Sequence, residues 1–415
     1  MRLFTIPNNF RLREFSRNVK LFYIYGLSLN AGMALFTLLY NLYLLRLSFR
    51  EDLIGQIASM GPLATGLLAL PIGMLSDRIG RKIFLVGASV LLAVSQIGLC
   101  FSTATASFFA FSFIGGIAMA CIWVNHVPFL SDNTVRIRRA EALALWTAMQ
   151  IVVRMFCTLI GGMLPGVMGY FLNTSTEMPE PFRYSLLIGA ACSLLSVLPL
   201  IRMPHRVEAL TGDKMESRNR VVELGIQWRT YFGFTVSSGA RGFAVGLTFP
   251  FFNVFFQEEL YLGPMVIGVI YFLSEFLSLP SIIIVPKLMR RFGAPLTMFP
   301  LRSIWGGAIG IMGTVISLPI SIVMFLISRV SEVIDNPIEQ IFSTELLPRY
   351  FWARIQGFRV CGFQILAFAG SILGGFLIVE YGYYAAFVLA CLSRIASGIF
   401  VAVYFGSQSA PPRSI

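Results

Sequence analysis

Long apolar runs, each of about 20 residues or more, recur along this chain between residue 19 and residue 405. A helix needs about 20 apolar residues to cross the roughly 30 Å hydrocarbon core of a bilayer. Charged residues make up 13% of the chain, about half the share that is usual in soluble domains. Soluble, disordered and collagen-like chains are therefore excluded. We predict an all-α membrane protein with twelve membrane-spanning helices.

The basic residues predict which side of the membrane each loop faces. The net charge of +12 could indicate a nucleic-acid partner, but the basic residues lie in short clusters between the apolar runs. Most of the 32 lysines and arginines fall in loops on the side of the N-terminus, and the opposite loops hold only Arg46, Arg50 and Arg183. Cytoplasmic loops carry such an excess. We expect a plasma-membrane protein with both termini in the cytoplasm and no nucleic-acid partner.

One long polar segment divides the chain into two halves. It covers residues 203–228, which we expect to form a cytoplasmic linker loop. Residues 1–202 before it are predicted to form an N-terminal bundle of six helices. Residues 229–415 after it are predicted to form a second bundle of six helices with a short cytoplasmic tail.

The two halves also resemble each other in sequence. A shift of 213 residues, with one gap for the asparagines, superimposes several features: Ile54-Gly55 on Ile267-Gly268, Gly80 on Gly293, Gly161-Gly162 on Gly374-Gly375, and Asn41 on Asn253. A nearly constant offset over more than a hundred residues indicates two homologous bundles. Parallel repeats related by an axis along the membrane normal are typical of transporters.

The segment between the second and third apolar runs reads Gly73-Met-Leu75-Ser-Asp77-Arg78-Ile-Gly80-Arg81-Lys82. It resembles the signature loop G-x-L-x-D-R-x-G-R-K of the major facilitator superfamily (MFS). The resemblance implies the MFS fold, which has two six-helix bundles related by a pseudo-two-fold axis along the membrane normal, and transport by alternating access. It also implies a gating loop that latches the bundles together on the cytoplasmic side in one state, formed by Gly73, Asp77, Arg78, Gly80 and Arg81. The alternative is a loop that only fixes topology.

Ionisable residues inside the apolar runs are candidate functional groups, because a charge near the bilayer centre costs roughly 2.5–3.5 kcal/mol. Span ten carries Arg329, Glu332, Asp335 and Glu339. At about 100° per residue these four side chains fall within about a third of the helix circumference, so they face the bundle interior or a cavity. We predict Glu332, Asp335 and Arg329 as proton-coupling residues. A static salt bridge between Arg329 and Glu332 remains the alternative.

Glu275 in span eight has no charged neighbour one turn away on its own helix. Desolvation favours the neutral form of such a carboxyl, so Glu275 is a further proton-coupling candidate that could pair with Arg154 or Arg241. The arrangement resembles that of proton-coupled sugar symporters of the lactose permease type, which also have an acid in span eight and an arginine in span five. The span-four acid of those proteins has no counterpart, so a galactoside is not indicated.

The other polar residues inside the spans are predicted to bind the substrate, to reach the cytoplasmic face or to bond neighbouring helices. Arg154 and Arg241, near the middle of spans five and seven, are predicted to bind the substrate, with Asn41, Asn253 and Asn125 as further cavity groups. Arg302 is expected to reach the cytoplasmic face. Arg394 is expected to bond carbonyls or an acid between helices.

These features together predict a secondary active transporter that moves a small solute by alternating access with proton coupling. Symport, antiport and the direction of transport stay open. A multidrug exporter and a non-transporting sensor on the same scaffold are the alternatives. The sequence offers no nucleophile–base pair, metal-ligand set or cofactor loop. We therefore expect no enzymatic activity, cofactor or metal, and a monomer whose partners are the substrate, protons and the lipid bilayer.

Overall fold

A computed structural model describes residues 15–135, 138–204, 222–347 and 352–406. These residues form fifteen α-helices and one short 3-10 helix, and they contain no strand. The α-helices are α1 (Arg17–Arg46), α2 (Glu51–Ile79), α3 (Arg81–Phe101), α4 (Thr105–Asp132), α5 (Arg139–Leu172), α6 (Pro179–Leu195), α7 (Val197–Ile201), α8 (Val222–Thr248), α9 (Phe252–Glu258), α10 (Pro264–Ser278), α11 (Ser281–Phe292), α12 (Ala294–Thr314), α13 (Leu318–Glu345), α14 (Trp352–Tyr381) and α15 (Tyr383–Gly406).

Three of the predicted spans are interrupted helices. The chain turns at Ser196 between α6 and α7, in the 3-10 helix Phe249–Phe251 between α8 and α9, and at Pro280 before α11. Pro199, Pro250 and Pro280 lie in or next to these turns, and proline supplies no N–H to the preceding turn. When each interrupted pair is taken as one segment, the described residues form the twelve predicted segments.

Eight stretches are long and apolar enough to cross a membrane: Arg17–Arg46, Glu51–Ile79, Arg81–Phe101, Thr105–Asp132, Glu141–Leu172, Pro179–Ile201, Arg354–Tyr381 and Tyr383–Gly406. The interrupted α8–α9 and α10–α11 segments and α12 are not among them. Neither is α13, which carries Arg329, Glu332 and Asp335 in its middle turns.

The helices pack as two bundles of six segments each. In the first bundle α1 contacts α5 and α6, α2 contacts α4, and α3 contacts α4 and α6. In the second, α8 contacts α14 and α15, α12 contacts α13 and α15, and α10 contacts α13. The bundles meet where α2 lies against α14 and α5 lies against α10. Helix α8 begins at Val222, inside the predicted linker, and residues 205–221 lie outside the described residues, so the domain boundaries stay a prediction.

The sequence repeat reappears in the contacts between the bundles. A side-chain carbon added to Gly55 of α2 would lie 3.3 Å from Cα of Gly375 in α14, and one added to Gly268 of α10 would lie 2.9 Å from Cα of Gly162 in α5. At the shift of 213 residues, Gly55 corresponds to Gly268, and Gly162 corresponds to Gly375. The two interfaces therefore repeat each other around a pseudo-two-fold axis between the bundles.

We call the face of the molecule where α1 ends and α2 begins the upper face, and the face where α2 ends and α3 begins the lower face. On the lower face Gly80 (φ +112°) and its counterpart Gly293 (φ +74°) join α2 to α3 and α11 to α12. Only glycine adopts such backbone angles without strain.

Candidate functional site

A cavity of about 400 Å³ lies between the two bundles, within the size range of small-molecule sites. Its walls come from α1, α4 and α5 of the first bundle and from α8, α9, α10, α12, α13 and the 3-10 helix of the second. Aromatic rings form much of the lining: Trp123, Phe249, Phe252, Tyr271 and Trp305. The polar lining consists of Asn30, Thr37, Arg154, Thr158, Thr248, Glu275, Arg329, Glu332 and Asn336.

Three charged residues meet in the cavity wall, and we call Arg154, Glu275 and Arg329 the cavity ion cluster. The Arg154 guanidinium in α5 donates to both oxygens of Glu275 in α10, with Nε–Oε1 at 3.1 Å and Nη2–Oε2 at 3.2 Å. Arg329 Nη2 in α13 lies 3.9 Å from Oε1 of the same carboxylate. One buried carboxylate from the second bundle therefore serves a guanidinium from each bundle.

Arg329 retains unused binding capacity. Its Nε is buried and finds no hydrogen-bond acceptor among the described residues. Its guanidinium carbon lies 5.3 Å from the centre of the Phe249 ring, in the geometry of a cation–π contact. Because its pairing with Glu275 is long, Arg329 presents much of its positive charge to the cavity.

A second group of ion pairs lies inside the second bundle. This core ion cluster joins α8, α12, α13, α14 and α15, and it consists of Arg241, Arg302, Arg359, Arg394, Glu332, Asp335 and Glu339. At its lower end Glu339 Oε2 lies 2.6 Å from Arg241 Nη1, 3.3 Å from Arg302 Nη2 and 3.4 Å from Arg359 Nη2. The hydroxyl of Ser238 donates to Oε1 of Glu339 at 2.8 Å. This carboxylate is completely buried, and it is compensated by three guanidinium groups.

The middle of the core ion cluster surrounds Asp335. Its Oδ2 lies 3.2 Å from Arg302 Nε, 3.2 Å from Arg394 Nη2 and 3.7 Å from Arg241 Nη1. Arg394 also donates to Glu332, which lines the cavity. Glu332 thus pairs with an arginine of the core ion cluster, and Glu275 is the carboxylate that pairs with Arg154 and Arg329.

The structure separates the predicted substrate and proton residues into these two groups. Arg154, Glu275, Arg329 and Glu332 reach the cavity, and Glu275 takes Arg154 rather than Arg241 as its partner. Arg241 and Asp335 are instead buried in the core ion cluster and do not line the cavity. The alternative of a static Arg329–Glu332 bridge is not favoured, because these two residues pair with Glu275 and Arg394.

The three predicted cavity asparagines lie outside the cavity lining. Asn125 is buried and donates to the Cys121 carbonyl of its own helix at 2.8 Å. Asn41 and Asn253 bond across the interface between the bundles, above the cavity.

Sequence reasoning misplaced Arg302 and did not single out Arg359, two of the four arginines of the core ion cluster. The expectation that Arg302 extends to the cytoplasmic face is wrong, because its side chain is completely buried beside Asp335. Arg394 bonds acids on a neighbouring helix as expected. Arg359 lies near the start of α14, and its side chain is buried. The available signal was the excess of acids over bases on α13, which required basic partners from other helices.

The predicted gating loop joins α2 to α3 at the lower face. Asp77 accepts from Arg81 Nη2 at 2.9 Å, and Arg81 also pairs with Asp132 at the end of α4. A carbon added to Gly73 would lie 3.3 Å from Val124 of α4, so this glycine permits close helix packing. Arg78 is exposed. These contacts are all made within the first bundle.

The sequence profile of the Major Facilitator Superfamily matches residues 21–334. The chain belongs to this family. It is accordingly a multi-pass membrane protein with the MFS fold that the signature loop predicted.

Two curated bacterial transporters are similar to the chain in sequence. The 4-hydroxybenzoate transporter PcaK of Pseudomonas aeruginosa is 28% identical over 251 residues, which are 58% of this chain and 52% of that protein. The gentisate transporter of Corynebacterium glutamicum is 26% identical over 162 residues, 39% of this chain and 33% of that protein. The alignments therefore span about half of the first relative and a third of the second.

Among solved structures, a mutant of the nucleoside transporter NupG resembles the chain with a TM-score of 0.74. The superposition covers 94% of this chain and 100% of NupG at 15% sequence identity. At this identity the likeness concerns the fold, two six-helix bundles around a pseudo-two-fold axis.

Proposed function

We propose that the protein is a secondary active transporter that carries a small organic anion across the membrane by alternating access, coupled to protons. The observation that carries the proposal is the sharing of the Glu275 carboxylate by Arg154 and Arg329 in the cavity. Two guanidinium groups opposite one carboxylate leave one positive charge uncompensated in a partly desolvated site. An anion satisfies that charge, and a carboxylate matches the planar donor fork of a guanidinium.

The aromatic lining of the cavity favours an aromatic carboxylate among the possible organic anions. Trp123 exposes 45% of its surface, and the rings of Phe249 and Trp305 also line the cavity. Aromatic side chains offer flat apolar surfaces on which a ring of the substrate can stack. The names of the two curated relatives, transporters of 4-hydroxybenzoate and of gentisate, support this choice.

Glu275 supplies a direct means of proton coupling. An ionised Glu275 neutralises one of the two guanidinium charges, whereas a protonated Glu275 leaves both charges for the substrate carboxylate. Anion and proton therefore favour each other's binding, which is the requirement for symport. Protonation of Glu275 is therefore expected to raise the affinity for the anion, and anion binding is expected to favour the protonated carboxyl.

We further propose that the lower face is cytoplasmic. The basic residues of the α2–α3 loop, Arg78, Arg81 and Lys82, support this orientation by the positive-inside rule. Both termini would then lie in the cytoplasm.

A binding comparison tests the substrate class. The purified protein is titrated with 4-hydroxybenzoate and with 4-hydroxybenzamide, a neutral analogue of nearly the same shape, while heat release and the melting temperature are recorded. Saturable binding of the benzoate at least tenfold tighter than that of the benzamide is expected. Equal affinity for both compounds, or binding of the amide alone, would exclude the anion site.

A further inference from the structure

Two asparagines join the bundles above the cavity. The Asn41 side-chain amide of α1 donates to the Pro250 carbonyl of the 3-10 helix at 2.6 Å. The Asn253 amide of α9 donates to the α1 carbonyls of Thr37 at 2.9 Å and Leu38 at 2.7 Å. Asn253 is 3% exposed, so its bonds are protected from water.

The two sets of bonds are related by the internal repeat. Asn253 is the counterpart of Asn41 at a local offset of 212 residues, and the same offset makes Pro250 the counterpart of Leu38, whose carbonyl accepts from Asn253. Each asparagine therefore donates to the backbone of the other repeat at the equivalent place. Such a reciprocal contact lies on the pseudo-two-fold axis, where it joins the two bundles symmetrically.

These bonds lie between the cavity and the upper face. Thr37 lines the cavity, and Asn41 follows it one turn, about 6 Å, further towards the upper face. On the other bundle Phe249 lines the cavity and is followed at once by Pro250. Buried apolar residues of one cluster lie close to the two asparagines in sequence and come from both bundles, including Leu38, Leu42 and Phe251.

We propose that Asn41 and Asn253 form a reciprocal asparagine lock that holds the cavity shut towards the upper face. Opening the cavity on that side requires α1 and α9 to separate and these bonds to break. As the gap opens, the amide donors and the backbone carbonyls can form hydrogen bonds to water in place of their bonds to each other, so the lock is reversible. The asparagines therefore act on the conformational equilibrium, and they do not contact the substrate.

Cysteine accessibility tests the lock. The six native cysteines are replaced by serine, Val245 on the cavity wall is changed to cysteine, and a membrane-impermeant maleimide is added on either side of the membrane. A separate Ser175→Cys variant, in the loop between α5 and α6, reports which compartment the upper face meets. Asn41→Ala loses one hydrogen bond and is expected to raise the labelling rate from the upper side about fivefold. Asn253→Ala loses two hydrogen bonds and is expected to raise that rate at least as much.

Gln96→Ala provides the matched control, because Gln96 is a buried amide in α3, which packs within the first bundle. Its labelling rate should equal that of the parent. Asn253→Asp keeps the size of the side chain but loses the amide donor, and it should label as fast as Asn253→Ala. If the alanine variants do not fold, Asn41→Ser and Asn253→Ser carry the test, since serine can bond its own helix.

Parent-like labelling in every asparagine variant would overturn the lock, and so would an equal rise in Gln96→Ala. Labelling needs no transported substrate. A negative labelling result would therefore overturn the lock without affecting the organic-anion proposal. Failure to bind the anion would overturn that proposal without affecting the lock.

Discussion

At the scale of single residues, the role of a membrane arginine depends on what its guanidinium faces. Arg154 has a side chain 36% exposed to the cavity and a single acidic partner there, Glu275. Arg241 is 7% exposed, and its guanidinium lies within 4.0 Å of Glu332, Asp335 and Glu339. The first arrangement has capacity for a ligand, whereas in the second the guanidinium is buried among three acidic groups of the protein.

Arg154→Ala and Arg329→Ala should weaken binding of 4-hydroxybenzoate by roughly 10- to 100-fold, since each removes a charge-assisted hydrogen-bonding partner. Arg154→Lys keeps the charge but loses the bidentate fork, and its affinity should be intermediate. Titration calorimetry at constant pH gives the affinities. Unchanged affinity in both alanine variants would remove these arginines from the site.

Arg241→Ala should behave differently from Arg154→Ala. Removing one partner from a buried ionic cluster costs about 3–5 kcal/mol, because the remaining charges stay desolvated. A large fall in melting temperature is therefore expected, together with little change in anion affinity for the protein that remains folded. A stable variant with lost affinity would instead place Arg241 in the substrate site, as the sequence suggested.

Sequence reasoning singled out the four charged residues of the cavity and left the partner of Glu275 open between Arg154 and Arg241. Glu275, Arg154 and Arg329 were recognisable because ionisable groups are rare inside apolar runs. The sequence could not choose between the two possible partners, because pairing depends on the rotation of each helix about its axis. Arg359 was missed for a related reason, since a basic residue near the end of a span looks like a topological charge.

At the scale of helices, α13 shows how one polar stripe can serve two purposes. The face that carries Arg329 and Glu332 meets the cavity, whereas Asp335 and Glu339 on nearly the same face are completely buried. The predicted stripe was therefore correct in facing inward, but neighbouring helices cover its lower half. The sequence predicted the spans but not the interruptions near Pro199, Pro250 and Pro280. A proline alone does not show where a helix is interrupted, because Pro62 and Pro337 lie inside continuous helices.

The α2–α3 loop is expected to control rate rather than folding. Asp77 is 55% exposed at its side chain, and an exposed ion pair such as that with Arg81 contributes at most about 1 kcal/mol. If the loop is the gating latch that the family resemblance implies, Asp77→Asn should keep its expression and melting temperature but transport more slowly, because a latch that would form in only one state is lost. Initial uptake rates at equal protein density check this. A normal uptake rate would indicate that the loop only fixes the membrane topology.

At the scale of the whole molecule, the two bundles are held together by equivalent contacts on either side of the pseudo-two-fold axis. Gly55 and Gly268 permit close helix approach at the two interfaces, α2 with α14 and α5 with α10. The sequence predicted this symmetry from its constant offset. It could not predict that the equivalent residues meet at the interfaces, because that depends on how the bundles dock.

Because the two interfaces are equivalent, Gly55→Val and Gly268→Val should have similar effects. Each added side chain would clash with backbone of the opposite bundle, at a cost of about 1–3 kcal/mol. Both melting temperatures should fall by a comparable amount. Gly87→Val in α3 is the control, since a carbon at Gly87 meets nothing within 4 Å. A loss in only one of the two variants would contradict the equivalence.

The central claim is that an organic anion and a proton share the cavity ion cluster, and accumulation of 4-hydroxybenzoate in proteoliposomes tests it most directly. With an alkaline interior, the wild-type protein should concentrate the anion above its external level. Glu275→Gln frees Arg154 and Arg329 permanently, so it should bind the anion at least as tightly and still let it move downhill, but it should not accumulate it. No saturable entry by the wild-type protein, or full pH-driven accumulation by Glu275→Gln, would contradict the account.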